Sequence, residues 1–408
     1  MGRATSQSSG NQHSDRSPGG TTMSVEIEQL TAADWEEGLA FLNGVFGDDK
    51  EEFNFATLLP SIYQPTDEFM ACNHAVRENG QIRAVVGLFP MDWQVGDNLL
   101  KVGGIGGVST HLSVRGKGYM KLLMEHCVKL MKAEGYDLSW LGGQRQRYGY
   151  FGYEKCGQQL SVSMNSTNLR HVFGERQGLS FEPLVAEDRS RIDTAQQLHD
   201  ALLVHCRRGG NDLFPRFLAS WHHQPYAALD EDGTMVGYLV ADASGGSVLE
   251  LVARDASMEV EVARSWVQSR QEEGVRFDIG PTRYELLRRL SAIGEGGGAN
   301  SSGNWQIYDW ARTVGALLQV RCVGGALADG DILLGIEGYG SLHVQVCTNE
   351  VVCEKVAESA PVTWDAFTAM RVFFGPLPAA AVADVPQTLG PLLAWCPLPL
   401  AWPRQDGV

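Results

Sequence analysis

Apolar residues recur along this chain at two periods, and the switches between them outline its elements. From Ala32 to Phe46, Trp35, Leu39, Leu42 and Phe46 fall three or four apart, which predicts an amphipathic helix. Strand-like runs follow. His74–Arg77 and Gln81–Phe89 flank Glu78-Asn79-Gly80, and Asn-Gly is a strong hairpin turn signal. Met91–Val95 and Leu99–Val102 flank Gly96-Asp97-Asn98, and a further strand is predicted over Gly103–Leu112. The period then changes to helical over Tyr119–Glu134, where Met120, Leu123, Met124, Cys127, Val128 and Met131 recur and Gly135 marks the stop. A buried strand is predicted at Tyr136–Leu141.

The same order returns in the middle of the chain. A helix carrying Leu198, Leu202 and Val204 leads to a hairpin, Tyr226–Leu229 and Met235–Val240, around Asp230–Gly233. A strand at Leu249–Ala253 and a helix at Met258–Glu273 complete this second copy. Gly294–Asn304 reads as a flexible loop or linker. Beyond it the pattern predicts a helix over Ile307–Val320, strands at Ile332–Glu337, His343–Cys347 and Val351–Val356, and a helix over Trp364–Phe374. The tail Pro376–Val408 is rich in Pro, Leu and Trp, too apolar to stay solvated, and should pack onto the body.

Length and composition narrow the class. At about 150 residues per domain, 408 residues predict two to three domains. Hydrophobic residues at 44% and charged residues at 20% fit a folded globular chain. The polar, Gly/Ser-rich stretch 1–24 is expected to be disordered. Met1-Gly2 with Ser6 fits the minimal myristoylation pattern, although Met23 offers an alternative start. The sequence shows no long apolar run and no apolar leader, so a cytoplasmic protein without a membrane partner is expected. A formal charge of −16 argues against nucleic acid and suits a cationic small molecule. The eight cysteines form no C-x-x-C pair and no zinc-spaced cluster, so reduced thiols and no metal are expected.

The candidate chemistry lies between the Gly103–Leu112 strand and the helix after it. The turn Arg115-Gly-Lys-Gly118 lets backbone N–H groups approach a ligand, and the helix start adds the positive end of a dipole. Together they make a seat for a pyrophosphate. A Walker loop would need Ser or Thr after Gly-Lys, and Gly118 stands there instead.

The turn resembles motif A of the GNAT superfamily of acetyl-CoA-dependent N-acyltransferases, with Met120 where the motif has Gly or Ala. One strand later, Tyr148-Gly-Tyr-Phe-Gly152-Tyr153 is similar to that superfamily's Tyr-x-x-x-Gly-aromatic mark. The resemblance implies that Tyr148 protonates the departing thiolate as general acid, with Tyr150 and Tyr153 as rivals. It implies cofactor contacts from Val108, Ser109 and Thr110 to the pantetheine arm and acyl carbonyl. Gly116, Lys117, Gly118, Tyr119, Met120 and Lys121 would then hold the pyrophosphate, and Gly143 and Gln144 would sit just before the acid.

The whole chain resembles the enhanced-intracellular-survival (Eis-like) acetyltransferases. That resemblance implies an α/β (α+β) fold: tandem GNAT-type domains with mixed central sheets flanked by helices, then a C-terminal sterol-carrier-like α+β domain. The expected bounds are 25–172 for the catalytic domain, 173–303 for a degenerate copy and 304–408 for the last. The copy has Arg254-Asp-Ala-Ser257 where the first domain has its glycine turn, so it should not bind CoA. In such relatives the chain's own terminal carboxylate serves as base. Here that group belongs to Val408, with Asp406 and Glu154 as alternatives.

The activity so implied is transfer of acetyl from acetyl-CoA to a primary amine on a cationic small molecule or a lysine-bearing peptide, in a protein that forms homo-oligomers. A non-catalytic acyl-CoA or lipid carrier is the rival reading. His111 reads as a packing residue, and Trp221-His222-His223 as an interface or surface feature.

Overall fold

The structure is a computed structural model, and it describes residues 26–47, 53–174, 177–210, 212–270 and 274–408. Segment 1–24, with its expected disorder and its myristoylation pattern, lies outside the described residues.

The strands, in chain order, are β1 (Ile27–Gln29), β2 (Asn73–Glu78), β3 (Gln81–Val95), β4 (Asn98–Thr110), β5 (Leu138–Leu141), β6 (Glu154–Cys156) and β7 (Gln159–Met164). There follow β8 (Ser180–Pro183), β9 (Val204–Cys206), β10 (Gln224–Leu229), β11 (Met235–Ala241), β12 (Ser247–Ala253) and β13 (Val275–Ile279). The last are β14 (Gly296–Asn300), β15 (Gly303–Ile307), β16 (Gly330–Ile336), β17 (Gly340–Cys347), β18 (Glu350–Val356) and β19 (Thr363–Trp364).

They form three mixed sheets. The first has the order β1-β2-β3-β4-β5-β15-β6, with β9 also paired to β3. The second runs β14-β7-β13-β12-β11-β10-β8, and the third β18-β17-β16-β19. This is the α/β architecture expected, with helices laid against each sheet.

The local reasons are those of the sequence. Asn79 and Gly80 both take positive φ (55° and 78°), the turn that matches the twist of β2 and β3. The helix Tyr119–Ala133 buries Leu123, Met124, Cys127 and Met131 against the first sheet. It stops before Gly135, whose φ is +68°.

Several boundaries differ from the sequence reading. The stretches 81–95 and 98–110 are each one continuous strand rather than two, because β3 and β4 pair along almost their whole length. Val204 belongs to β9, not to the helix, which ends at Asp200; β9 leaves the second copy and pairs with Trp93–Val95. The predicted linker Gly294–Asn304 is strand: β14 pairs with β7, and β15 inserts between β5 and β6. Ile307 ends β15, and the following helix begins at Trp310.

The tail does pack. Trp395, Leu398, Leu400 and Trp402 are buried in a core that also takes in Trp93, Leu138 and Trp305 of the first sheet and Ile332 and Leu342 of the third. Gln158 fastens the tail to the body, its N–H bonded to Leu400 O (2.7 Å) and its Nε2 to Leu398 O (2.6 Å).

Candidate functional site

The site begins where β4 leaves β5. The two pair in parallel from Val102↔Leu138 to Ile105↔Leu141, and β5 then ends while β4 continues to Thr110. Against β3 the register slips between Gly87↔Gly106 and Val85↔Ser109, so β4 carries one extra residue in a bulge around Gly107 and Val108. The splayed strands leave a wedge, with Val108, Ser109 and Thr110 on one arm. Ser109 is buried and Val108 half-buried.

The turn beyond β4 reaches the helix Tyr119–Ala133. Gly116 and Gly118 both have φ +85°, a region closed to most side chains, and the space within 4 Å of where each Cβ would stand is open. Gly118 is the N-cap and supplies no side-chain cap, so the first helical N–H groups face outward for a ligand. These residues fit a diphosphate. Lys117 fits it less well: its N–H is bonded to Val114 O (3.2 Å) and its Nζ to Glu78 Oε1 (2.6 Å). Tyr119 is buried, Met120 half-buried, and Lys121 exposed beside Glu125 (3.7 Å).

Across the wedge, Gly143 and Gln144 precede a single helical turn, Arg145–Tyr148. A Cβ at Gly143 would stand 2.8 Å from Tyr148 Cε2, so only glycine lets the ring lie there. Tyr148 is mostly buried, and burial pushes its phenol up against the opposing pull of Arg147, which keeps it protonated at neutral pH. Its rivals are placed differently. Tyr153 is fully buried with its hydroxyl 2.7 Å from Ser139 Oγ, and Tyr150 is 90% exposed.

The third party is the chain end. A Cβ at Gly106 would stand 2.8 Å from the carboxyl carbon of Val408 and 3.2 Å from its oxygen. A Cβ at Gly104 would meet the Val408 side chain at 3.0 Å. The Val408 side chain packs against the buried cluster that includes Leu42, Tyr63, Val85 and Phe89. The two alternative carboxylates are engaged elsewhere. Glu154 is buried and paired with Arg145 (2.6 Å), with Arg371 at 3.7 Å. Asp406 is fully buried on Arg208 (2.7 Å). His111 caps the short turn after β4 through Ser113. Among the described residues no group of His, Cys, Asp and Glu is suited to a metal ion.

Sequence reasoning missed several of these parts. The run Gly103-Gly-Ile-Gly-Gly107 inside a strand was the available signal, since glycine there marks close backbone approach. Asn304, in the supposed linker, is buried on β15 and donates to the carbonyls of Leu141 (3.3 Å) and Gly143 (3.1 Å), fixing the loop before Tyr148. Trp221 and His223 contact the last residues of the chain: His223 Nδ1 bonds Gln405 Oε1 (2.9 Å). Nothing local in the sequence announces those pairings.

Residues 26–156 match the family described as "Acetyltransferase (GNAT) domain". None of the curated proteins matches the chain. Among solved structures, a GCN5-related N-acetyltransferase from Kribbella flavida superposes with TM-score 0.67 at 18% identity, over 94% of this chain and 98% of that one. A GCN5-related N-acetyltransferase from Anabaena variabilis gives 0.63 at 15%, over 93% and 98%. Eis1 from Mycobacterium abscessus gives 0.61 at 13%, over 94% and 100%. At these identities the likeness is one of fold, and it extends through all three sheets.

Proposed function

We propose that this chain, whose residues 26–156 form an acetyltransferase domain of the GNAT family, moves acetyl from acetyl-CoA to a primary amine by direct attack. The terminal carboxylate of Val408 is the base in this reading, and Tyr148 is the acid. The observation that carries it is the carboxyl carbon of Val408 against Gly106, at the root of the wedge between β4 and β5.

Acetyl-CoA, when bound, supplies an activated acyl group. The chain's own groups do the rest. The uncapped helix start at Gly118 and the turn glycine Gly116 take the diphosphate. Backbone N–H groups at the bulge of β4 polarise the acyl carbonyl. A carboxylate with an ordinary pKa of about 3.3–3.7 is ionised at neutral pH, so it holds an ammonium and takes its proton as the amine reacts. Tyr148, held protonated by burial, gives a proton to the departing sulfur. The acceptor is a cationic small molecule or a lysine-bearing peptide, as suits a chain of net charge −16.

Deleting only Gly407 and Val408 tests the base while leaving Asp406 on Arg208. We expect kcat to fall by about two to four orders of magnitude, with acetyl-CoA affinity in calorimetry unchanged. Full thiol release by the shortened chain with an amine panel would sink the reading.

A further inference from the structure

The second copy repeats the wedge of the first. Strands β12 and β13 pair in parallel only at Ser247↔Arg276 and Val248↔Phe277, and β12 then runs on to Ala253. In the first domain the corresponding opening faces the turn at Gly118. Here the chain's own C-terminal segment lies against it. A cavity of about 120 Å³ remains between Leu249–Val252 of β12, Asp278–Arg283 at the end of β13, and tail residues Pro399 and Ala401–Arg404. Arg404 pairs with Asp278 at 3.0 Å, at the mouth of this cleft.

Beyond Arg404 the segment is held by polar contacts. Gln405 donates to the carbonyls of Phe217 (2.6 Å), Leu218 (3.0 Å) and Ser220 (3.0 Å). Asp406 O accepts from Trp402 Nε1 at 2.9 Å. The Asp406 carboxylate takes two bonds from Arg208, at 2.7 and 3.1 Å. The other side of the same guanidinium holds Glu250 of β12, at 2.9 and 2.5 Å. Tyr238 of β11 closes the network on Glu250 at 2.6 Å. Arg208 and Asp406 are both wholly buried.

Energy alone does not account for a buried charge cluster. Desolvating one Arg and two carboxylates is costly, and apolar groups of the same shape hold segments together at least as well. The tail already has such groups in Trp395, Leu398, Leu400 and Trp402. What the guanidinium fork adds is geometry, two fixed directions for two carboxylates. Asp406 is two residues from the chain end, a reach of about 7 Å, so fixing its carboxylate confines Val408.

We propose that the degenerate second domain is the receptor for the chain's own C-terminal segment, and that Arg208 is the positioning residue that sets the Val408 carboxylate at Gly106 through Asp406. This inference rests on Val408 as the base.

The test is Asp406→Asn in the full chain, with Arg208→Lys beside it. Asp406→Asn keeps the shape and leaves Arg208 neutralised by Glu250, so the fold survives. Arg208→Lys keeps the charge and loses the fork. Both variants should lower kcat by about 100-fold, the usual cost of a displaced reacting group, with KM for acetyl-CoA unchanged. Carboxypeptidase should remove Val408 from both at least tenfold faster than from the wild-type chain. Wild-type kcat with a still-protected end overturns the inference. So does a fall in kcat with the end still protected, or a parallel rise in KM for acetyl-CoA, since either means damage other than release of the segment. Rapid trimming with wild-type kcat overturns the base assignment beneath it as well.

Discussion

Gly118 and Tyr148 sit on opposite arms of the wedge and fail differently when changed. At Gly118, φ is +85° and the space ahead is open, so a side chain meets no protein atom but both strains the backbone and covers the N–H groups of the helix start. Gly118→Val should raise the acetyl-CoA Kd at least about tenfold, the loss of one or two hydrogen bonds, while circular dichroism stays unchanged; an unaltered Kd in calorimetry would remove the diphosphate from this turn. Tyr148→Phe deletes one oxygen from a mostly buried ring and leaves the turn intact. Its kcat should drop by about two to four orders of magnitude with KM for acetyl-CoA unmoved, and near-normal turnover would make Tyr148 a packing residue. Both positions were legible in the sequence because their signals are local, a glycine turn before a helix and a spaced aromatic motif. Gly106 and Asn304 were not, since each matters through a partner far along the chain, Val408 for one and the carbonyl of Gly143 for the other.

At the scale of elements, the helices and hairpins with strong periodicity lie close to where the sequence puts them. The failures have one cause. In β14 every residue is exposed and three are glycine, so no side-chain alternation marks it; only pairing with β7 makes it a strand. β9 is three residues long and has meaning only beside β3. The second copy illustrates the converse, a legible absence. Its helix Ala256–Arg270 follows Arg254-Asp255 with no glycine turn, and its cleft is lined by the tail. Titration with acetyl-CoA should therefore give one site per chain, and a stoichiometry of two would contradict the reading of the second domain as non-binding.

Across the whole molecule, buried charge ties stability to pH. Burial would raise the Glu250 carboxyl, but the charge and hydrogen bonds of Arg208 outweigh it and hold the group at about 2, against 4.5 when free. The folded form is favoured above the unfolded value, and that advantage drains as pH falls from 4.5 toward 2, about 3 kcal/mol in all. Burial, with His126 nearby, lowers His74 from 6.5 to about 4, so the unfolded chain binds that proton first and stability begins to fall below pH 6.5. Urea midpoints should decline in both windows. Glu250→Gln should flatten the lower one and leave the upper, and an unchanged lower slope would deny Glu250 its part.

The insertion of β15 between β5 and β6 has a consequence for synthesis. Residues 154–156 gain their neighbour in the first sheet only once residues 303–305 have left the ribosome. The loop before Tyr148 waits for Asn304 in the same way. The first sheet thus cannot mature as an early cotranslational unit, however complete segment 26–156 looks as a stretch of sequence. Its sheet is closed by a strand translated roughly 150 residues later, which makes the order of translation and the order of assembly different things in this chain.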